Sequence, residues 1–124
     1  MSSETALKVR TMLEQVVSRE GTALRASVSG YRVAGKTGTV KKSAATGGYT
    51  EGSYLSLFVG MAPASDPKLV MVVMIDEPSA GEYYGGSVAA PVFSTVMSGA
   101  LRLLNVAPDQ QENAQLLEQS EGTI

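Results

Sequence analysis

The chain has 124 residues, with ten Lys and Arg against twelve Asp and Glu, a formal charge of −2, and neither His nor Cys. A Ser-His-Asp triad, a Cys-His dyad, a zinc site of His and Cys ligands and a disulfide are therefore all excluded within it. The length suits one small domain or a piece of a larger one, the 44% apolar content can supply a core, and the near-neutral charge argues against nucleic acid as the main partner. Met1-Ser2-Ser3-Glu4-Thr5 has neither the basic start nor the apolar centre of a signal peptide. The longest apolar run, Leu69 to Ile75, falls far short of the roughly 20 residues of a membrane-spanning helix. The expectation is a soluble chain in which neither anchor nor export signal is visible.

Residues 5 to 17 place Val9, Met12, Leu13, Val16 and Val17 on one helical face, and Gly21 fits a stop shortly after. A β-prone stretch runs from about Val28 to Val40. Small and polar residues dominate Lys41 to Ser53, which reads as a mobile connection with Lys41-Lys42 in a solvated turn. Tyr54 to Met61 and Lys68 to Ile75 are strand-like. The short link Ala62 to Pro67 favours a hairpin over a crossover between them. The second run is continuously apolar, which predicts an interior strand covered on both faces. After a glycine-rich loop from Asp76 to Gly86, Val92, Phe93, Val96, Met97, Ala100, Leu101 and Leu104 share a broad helical face. Pro91 fits the first helical position, with Ala90 as the cap. Fraying is expected from Ala107 onward. The predicted division is 1–108 as the structured part and 109–124 as a polar, disordered tail. Helix, strand, hairpin pair and helix define an α+β class, with helices packed on an antiparallel sheet.

The sharpest local signal is Lys36-Thr37-Gly38-Thr39. Gly30 to Thr37 satisfies the phosphate-loop pattern G-x-x-x-x-G-K-S/T letter for letter, and Leu69 to Ile75 followed by Asp76-Glu77 imitates a magnesium-holding strand. The context argues against a nucleotide. A phosphate loop ends an apolar strand and opens a helix. Here the intervening Tyr and Val prefer extended backbone, and no helix of useful length begins after Thr37. On a strand, by contrast, Lys36 and Gly38 face one way and Thr37 and Thr39 the other. Gly38 would leave the backbone open to a ligand pairing with the strand edge. Lys36 would supply positive potential, and a backbone N–H could stabilise an oxyanion. The plainest alternative is an edge strand with a solvated lysine.

Five blocks, the motif's own included, follow in order: Val9 to Glu14, Gly30 to Thr39, Ser56 to Ala64, Asp76-Glu77-Pro78, and Tyr83-Tyr84-Gly85-Gly86 with Ala90-Pro91-Val92-Phe93. Together they resemble the C-terminal part of the transpeptidase domain of class B penicillin-binding proteins, of the division-specific penicillin-binding protein 3 type. The resemblance spans about Thr5 to Pro108. It implies part of the fold shared with serine β-lactamases, and an enzyme that cross-links peptidoglycan stem peptides through an acyl-serine and is trapped by β-lactams. By resemblance, Lys36 orients the serine motif across the cleft, Thr37 and Thr39 hold the substrate or drug carboxylate, and the Thr39 N–H is an oxyanion-hole donor. Tyr54, Tyr83 and Tyr84 would form an aromatic wall. No metal or other cofactor is implied. The partners are the D-Ala-D-Ala stem peptide, β-lactams and the remainder of the domain. The location is the periplasmic face of the inner membrane. The family's nucleophile motif Ser-x-x-Lys and its Ser-x-Asn motif lie upstream of this segment, and neither is expected within it; Thr5-Ala6-Leu7-Lys8, read as lying before the first helix, is the nearest imitation of Ser-x-x-Lys. The chain is therefore expected to carry one wall of the site, to lack the nucleophile, to be inactive alone and to self-associate. A serine β-lactamase fragment shares the Lys-Thr-Gly motif, but the Tyr-Tyr-Gly-Gly and Ala-Pro-Val-Phe blocks favour the transpeptidase.

Overall fold

The computed structural model describes residues 1–43, 47–78 and 84–110, the side chains of 49–52 excepted. In chain order these form α1 (Ser3–Val16), a 3-10 turn (Leu24–Ala26), β1 (Ala34–Ser43), β2 (Tyr49–Ala62), β3 (Leu69–Asp76) and α2 (Ala89–Leu103). The strands make one antiparallel sheet in the order β1-β2-β3. The α+β arrangement read from the sequence is the one found.

Helix α1 begins two residues earlier than its apolar pattern suggests because Ser2 caps it. The Ser2 hydroxyl accepts the Thr5 N–H at 3.2 Å, supplying a partner that the first turn otherwise lacks. Thr5 to Lys8 therefore lies inside the helix rather than before it. The apolar stripe is not buried as its periodicity implies. Leu13 and Val16 are half-buried, Val9 and Met12 are exposed, and only Val17, just past the helix, is buried.

The strand register defines two sheet faces. Lys36 pairs with Val59, which pairs with Val72; Gly38 pairs with Leu57, which pairs with Met74. These share the front face. Thr37 with Phe58 and Val73, and Thr39 with Ser56 and Ile75, share the back face. The back face is where the core sits. Helix α2 lays Phe93, Met97 and Leu101 against it, all fully buried, with Ala26 of the 3-10 turn alongside. The Phe58 and Phe93 rings meet edge to face at 4.8 Å between centroids. The glycine pair Gly35 and Gly60 makes room for them. A Cβ on Gly35 would fall 2.5 Å from the Phe58 ring, and one on Gly60 2.6 Å from the Phe93 ring. On this same face the Ser56 hydroxyl is buried without a hydrogen-bond partner among the described residues.

Three local expectations are corrected. Strand β3 is not covered on both faces: Val70, Val72 and Met74 are 68%, 63% and 60% exposed on the front. An unbroken apolar run carries no face information, and here β3 is also the last strand of the described sheet. Second, Lys41 to Ser53 is not one connection. Strand β1 continues to Ser43 and β2 starts at Tyr49, while 44–46 lie outside the described residues. Lys42 is not a solvated turn lysine, since its ammonium binds Asp76 at 3.0 Å and Glu77 at 3.1 Å. Third, α2 starts at Ala89, with Val88 as its cap, so Pro91 is the third helical residue. That position is still tolerated because the first-turn N–H groups have no partner within the helix. Gly85 accepts the Ala89 and Ala90 N–H groups instead.

At its other end α2 closes in a Schellman arrangement. Asn105 takes a φ of 52°, its N–H donates to Arg102, and the Val106 N–H donates to Leu101. The segment beyond is tied down through residue 110. Asp109 accepts the Arg32 N–H at 2.7 Å and the Ser65 hydroxyl at 2.7 Å, and the Gln110 N–H donates to Gly30. The Tyr31 hydroxyl donates to the Val106 carbonyl. Arg32 in turn forks onto Glu14 of α1 at 2.6 and 3.0 Å, which raises its pKa further despite the partial loss of solvent. The tail expected to be disordered lies, from 111 on, outside the described residues.

Candidate active site

Lys36, Thr37, Gly38 and Thr39 are all on β1, at one margin of the described sheet. The extended backbone through Gly35, Lys36 and Thr37 removes the phosphate-loop reading, because no helix opens there to aim N–H groups at phosphates. The acidic pair that imitated a magnesium strand is occupied too. Asp76 and Glu77 clasp Lys42 across the sheet, which lifts the Lys42 pKa through the two hydrogen bonds.

The alternation expected for the motif is present. Lys36 and Gly38 are on the front, Thr37 and Thr39 on the back. The Lys36 side chain nevertheless folds round its own strand. Its ammonium donates to the Thr37 carbonyl at 3.0 Å and to the Thr37 hydroxyl at 3.3 Å. Charge and hydroxyl are thereby joined at one spot, although alternation separates the side chains by face. The Thr37 hydroxyl also stands 3.4 Å from that of Thr22, from the loop after α1.

Two glycines bring the approach to α2 against this strand. The Gly85 N–H donates to the Thr39 hydroxyl at 3.1 Å. A Cβ on Gly85 would lie 2.2 Å from the Leu57 carbonyl oxygen and 2.8 Å from that of Gly38, so only glycine fits. A Cβ on Gly86 would lie 2.1 Å from the Thr22 carbonyl oxygen. Nearby, Arg25 donates to the Ser87 carbonyl at 3.4 Å. The structure thus gathers Lys36, Thr37 and Thr39 with Thr22, Gly85 and Gly86.

The tyrosines are more dispersed. Tyr54 pairs with Lys41 and is half-buried, and its carbonyl accepts the Glu77 N–H. Tyr84 directly precedes Gly85 and is 60% exposed. Tyr83 lies outside the described residues. Sequence reasoning gave Thr22 no role, since a lone loop threonine has no local signature. Gly85-Gly86 did carry one in its doubled glycine.

One further stretch spells Ser-x-x-Lys and corrects the expectation of a chain without that pattern: Ser65-Asp66-Pro67-Lys68. It lies in the link between β2 and β3, beyond the Ala34 end of β1. Its serine hydroxyl donates to Asp109 and its lysine binds Asp66 at 2.7 Å, holding the Asp66 carboxyl below its ordinary pKa. Proline within the stretch also opposes the helical turn that would bring lysine back over serine. A groove of about 590 Å³ between α1 and the Met61–Pro67 region is lined by Leu7, Val9 and Leu13 among others and includes none of the candidate residues. Among the described residues no acidic, His or Cys cluster could hold a metal.

An antiparallel sheet backed by helix α2 thus carries Lys-Thr-Gly-Thr on its margin strand. The comparisons give the family. Residues 1–98 match the penicillin binding protein transpeptidase domain, and the chain belongs to that family. It is 50% identical over 114 residues to the probable peptidoglycan D,D-transpeptidase PbpC of Pseudomonas aeruginosa, covering 92% of this chain and 20% of that protein. It is 44% identical over 116 residues to the peptidoglycan D,D-transpeptidase FtsI of Escherichia coli, covering 90% of this chain and 20% of that one. Among solved structures, the apo transpeptidase domain of penicillin-binding protein 3 from Burkholderia pseudomallei superposes with a TM-score of 0.79 at 50% identity, covering 88% of this chain and 33% of that one. The chain thus spans about a fifth of the length of these curated relatives.

Proposed function

We propose that this chain forms the C-terminal part of a peptidoglycan D,D-transpeptidase domain and supplies one wall of its active site. The extended Lys36–Thr39 segment on the sheet margin is the observation that carries the reading. Residues i and i+2 of a strand point their N–H and C=O groups to the same edge. The Thr39 N–H therefore faces the same way as the Thr37 carbonyl, which the Lys36 ammonium reaches. An extended D-Ala-D-Ala tail laid along that edge meets a backbone N–H for its developing oxyanion and a cationic, hydroxyl-bearing spot for its terminal carboxylate.

In this reading a serine from the upstream part of the domain attacks the penultimate D-Ala carbonyl, the terminal D-Ala leaves, and an amine of a neighbouring stem peptide takes the acyl group. A β-lactam enters the same groove and stays on the serine. Lys36 orients the serine motif, Thr37 and Thr39 hold the carboxylate, Gly38 keeps the strand open, and Tyr84, next to Gly85, and Tyr54 flank the ligand. No helix among the described residues is long and apolar enough to cross a membrane. The proposed location on the periplasmic face of the inner membrane would follow from the rest of the protein.

The test uses a complete domain, made by joining this chain to the upstream part of the Burkholderia homologue's domain. A fluorescent penicillin should label the complete domain and leave the isolated chain unlabelled. Lys36→Ala should slow labelling by roughly a hundredfold, the scale of losing one preorganised electrostatic group. Covalent label on the isolated chain, at Ser65 for instance, would overturn the assignment of roles.

A further inference from the structure

The Thr37 hydroxyl has two polar neighbours in the site, and they constrain what it can offer. A hydroxyl has one hydrogen to donate and two lone pairs to accept with. The Lys36 ammonium lies 3.3 Å away and can only donate, so it takes one lone pair. The Thr22 hydroxyl lies 3.4 Å away and can use its own hydrogen for the second. We infer that Thr22 is a positioning residue that fills the remaining acceptor site of Thr37 and turns the Thr37 hydrogen outward, making Thr37 an obligate donor toward a ligand carboxylate. The inference rests on the carboxylate-binding reading of the Lys36–Thr37 spot.

Thr22 is held from several sides. A Cβ on Gly21 would lie 2.2 Å from the carbonyl oxygens of Gln15 and Val16, so the chain leaves α1 by a path open only to glycine. On the other side Ala23 is buried and its N–H donates to Val16 at 2.9 Å. Gly86 then packs directly over the Thr22 carbonyl. Backbone contacts fix the residue while its side chain stays exposed, so the hydroxyl can be removed without disturbing the core. Without it, Thr37 has a free lone pair and can turn its hydrogen elsewhere. A carboxylate offers acceptors only, so it gains from a hydroxyl whose one open direction is a donor.

The experiment compares Thr22→Val, Thr22→Ser, Thr37→Val and the double variant in the complete domain, by stopped-flow acylation with benzylpenicillin. Thr22→Val should raise the half-saturating penicillin concentration about three- to tenfold, the worth of one hydrogen bond, with little change in the limiting acylation rate. Thr22→Ser should restore the parent value. In the Thr37→Val background, Thr22→Val should have no further effect, because its action passes through Thr37. An unchanged half-saturating concentration in Thr22→Val, or an equal loss in both backgrounds, would overturn the inference while leaving the site reading intact. A silent Thr37→Val would instead remove the carboxylate reading, and this inference with it.

Discussion

Gly85 and Ser56 are two residues at which adding and removing one heavy atom should act in opposite directions. The Gly85 backbone lies so close to Leu57 and Gly38 that a methyl group would meet backbone oxygens, which cannot swing away as a side-chain end can. Gly85→Ala should cost roughly 3 kcal/mol or more in the complete domain, and it should detach the Gly85 N–H from Thr39. Ser56 carries the opposite problem, a buried hydroxyl without a partner among the described residues. Ser56→Ala removes an unpaired polar atom, so it should be neutral or stabilise by about 1 kcal/mol. Urea denaturation of both variants checks the pair, and a destabilised Ser56→Ala would show that its hydroxyl is satisfied. Little of this was legible in the sequence. Alternation gave the faces of Lys36, Thr37, Gly38 and Thr39, because strand geometry is local. The meeting of Thr22 with Thr37, or of Gly85 with Gly38, is made by tertiary packing and leaves no periodic trace. The Ser65–Lys68 pattern shows the converse: matching letters mean nothing when the serine and lysine are each bound to a different carboxylate.

Among the elements, the β1–β2 hairpin departs furthest from its composition. Its Lys41–Ser43 and Tyr49–Ser53 arms are small and polar, yet they are strand. Cross-strand pairing supports them, and so does the Lys42 ammonium, which ties β1 to Asp76 and Glu77 at the far end of β3. A sequence window sees two adjacent lysines. It does not see two carboxylates 34 and 35 residues away. The Lys42 pKa is raised in the fold, so its contribution is complete below the ordinary lysine value of 10.5 and is lost as the pH climbs through the higher folded value. Lys42→Met should therefore lower the urea midpoint of the complete domain by the same amount from neutral pH up to about that point, and the difference should fade above it. High salt should shrink the difference, since the group sits at the surface. A gap that closes well below the ordinary lysine value would mean that the ammonium is not held by the carboxylates. Helix α2, by contrast, was largely legible, because its broad apolar face meets a sheet present in the same chain. The stripe of α1 has the same periodicity and far less to meet.

For the whole molecule, the uncovered surfaces form a pattern. The front face exposes Val70, Val72 and Met74 on β3 and Val59 on β2, and β3 has no strand on its outer side among the described residues. The chain covers a third of the solved transpeptidase domain it resembles, and under the proposed function this apolar face is the expected seam for the rest of a domain. The isolated chain has only a second copy to offer that seam. An antiparallel pairing of two β3 strands centred on Val72 keeps both front faces on one side, sets Val70 opposite Met74 and sets Lys68 opposite Asp76, so its apolar pairs are closed by opposite charges. The isolated chain should therefore show a concentration-dependent mass of at least a dimer by light scattering. Val72→Lys should shift it toward monomer, because the substitution sets two like charges against each other at the two-fold axis. Val72 is mostly exposed, so the change should leave the circular dichroism of the chain intact. In the complete domain the same seam is filled, and no association through β3 is expected. A well-folded monomer across a wide dilution series of the isolated chain would mean that the front face is tolerated in water, and it would lose its claim to be a seam for a larger domain.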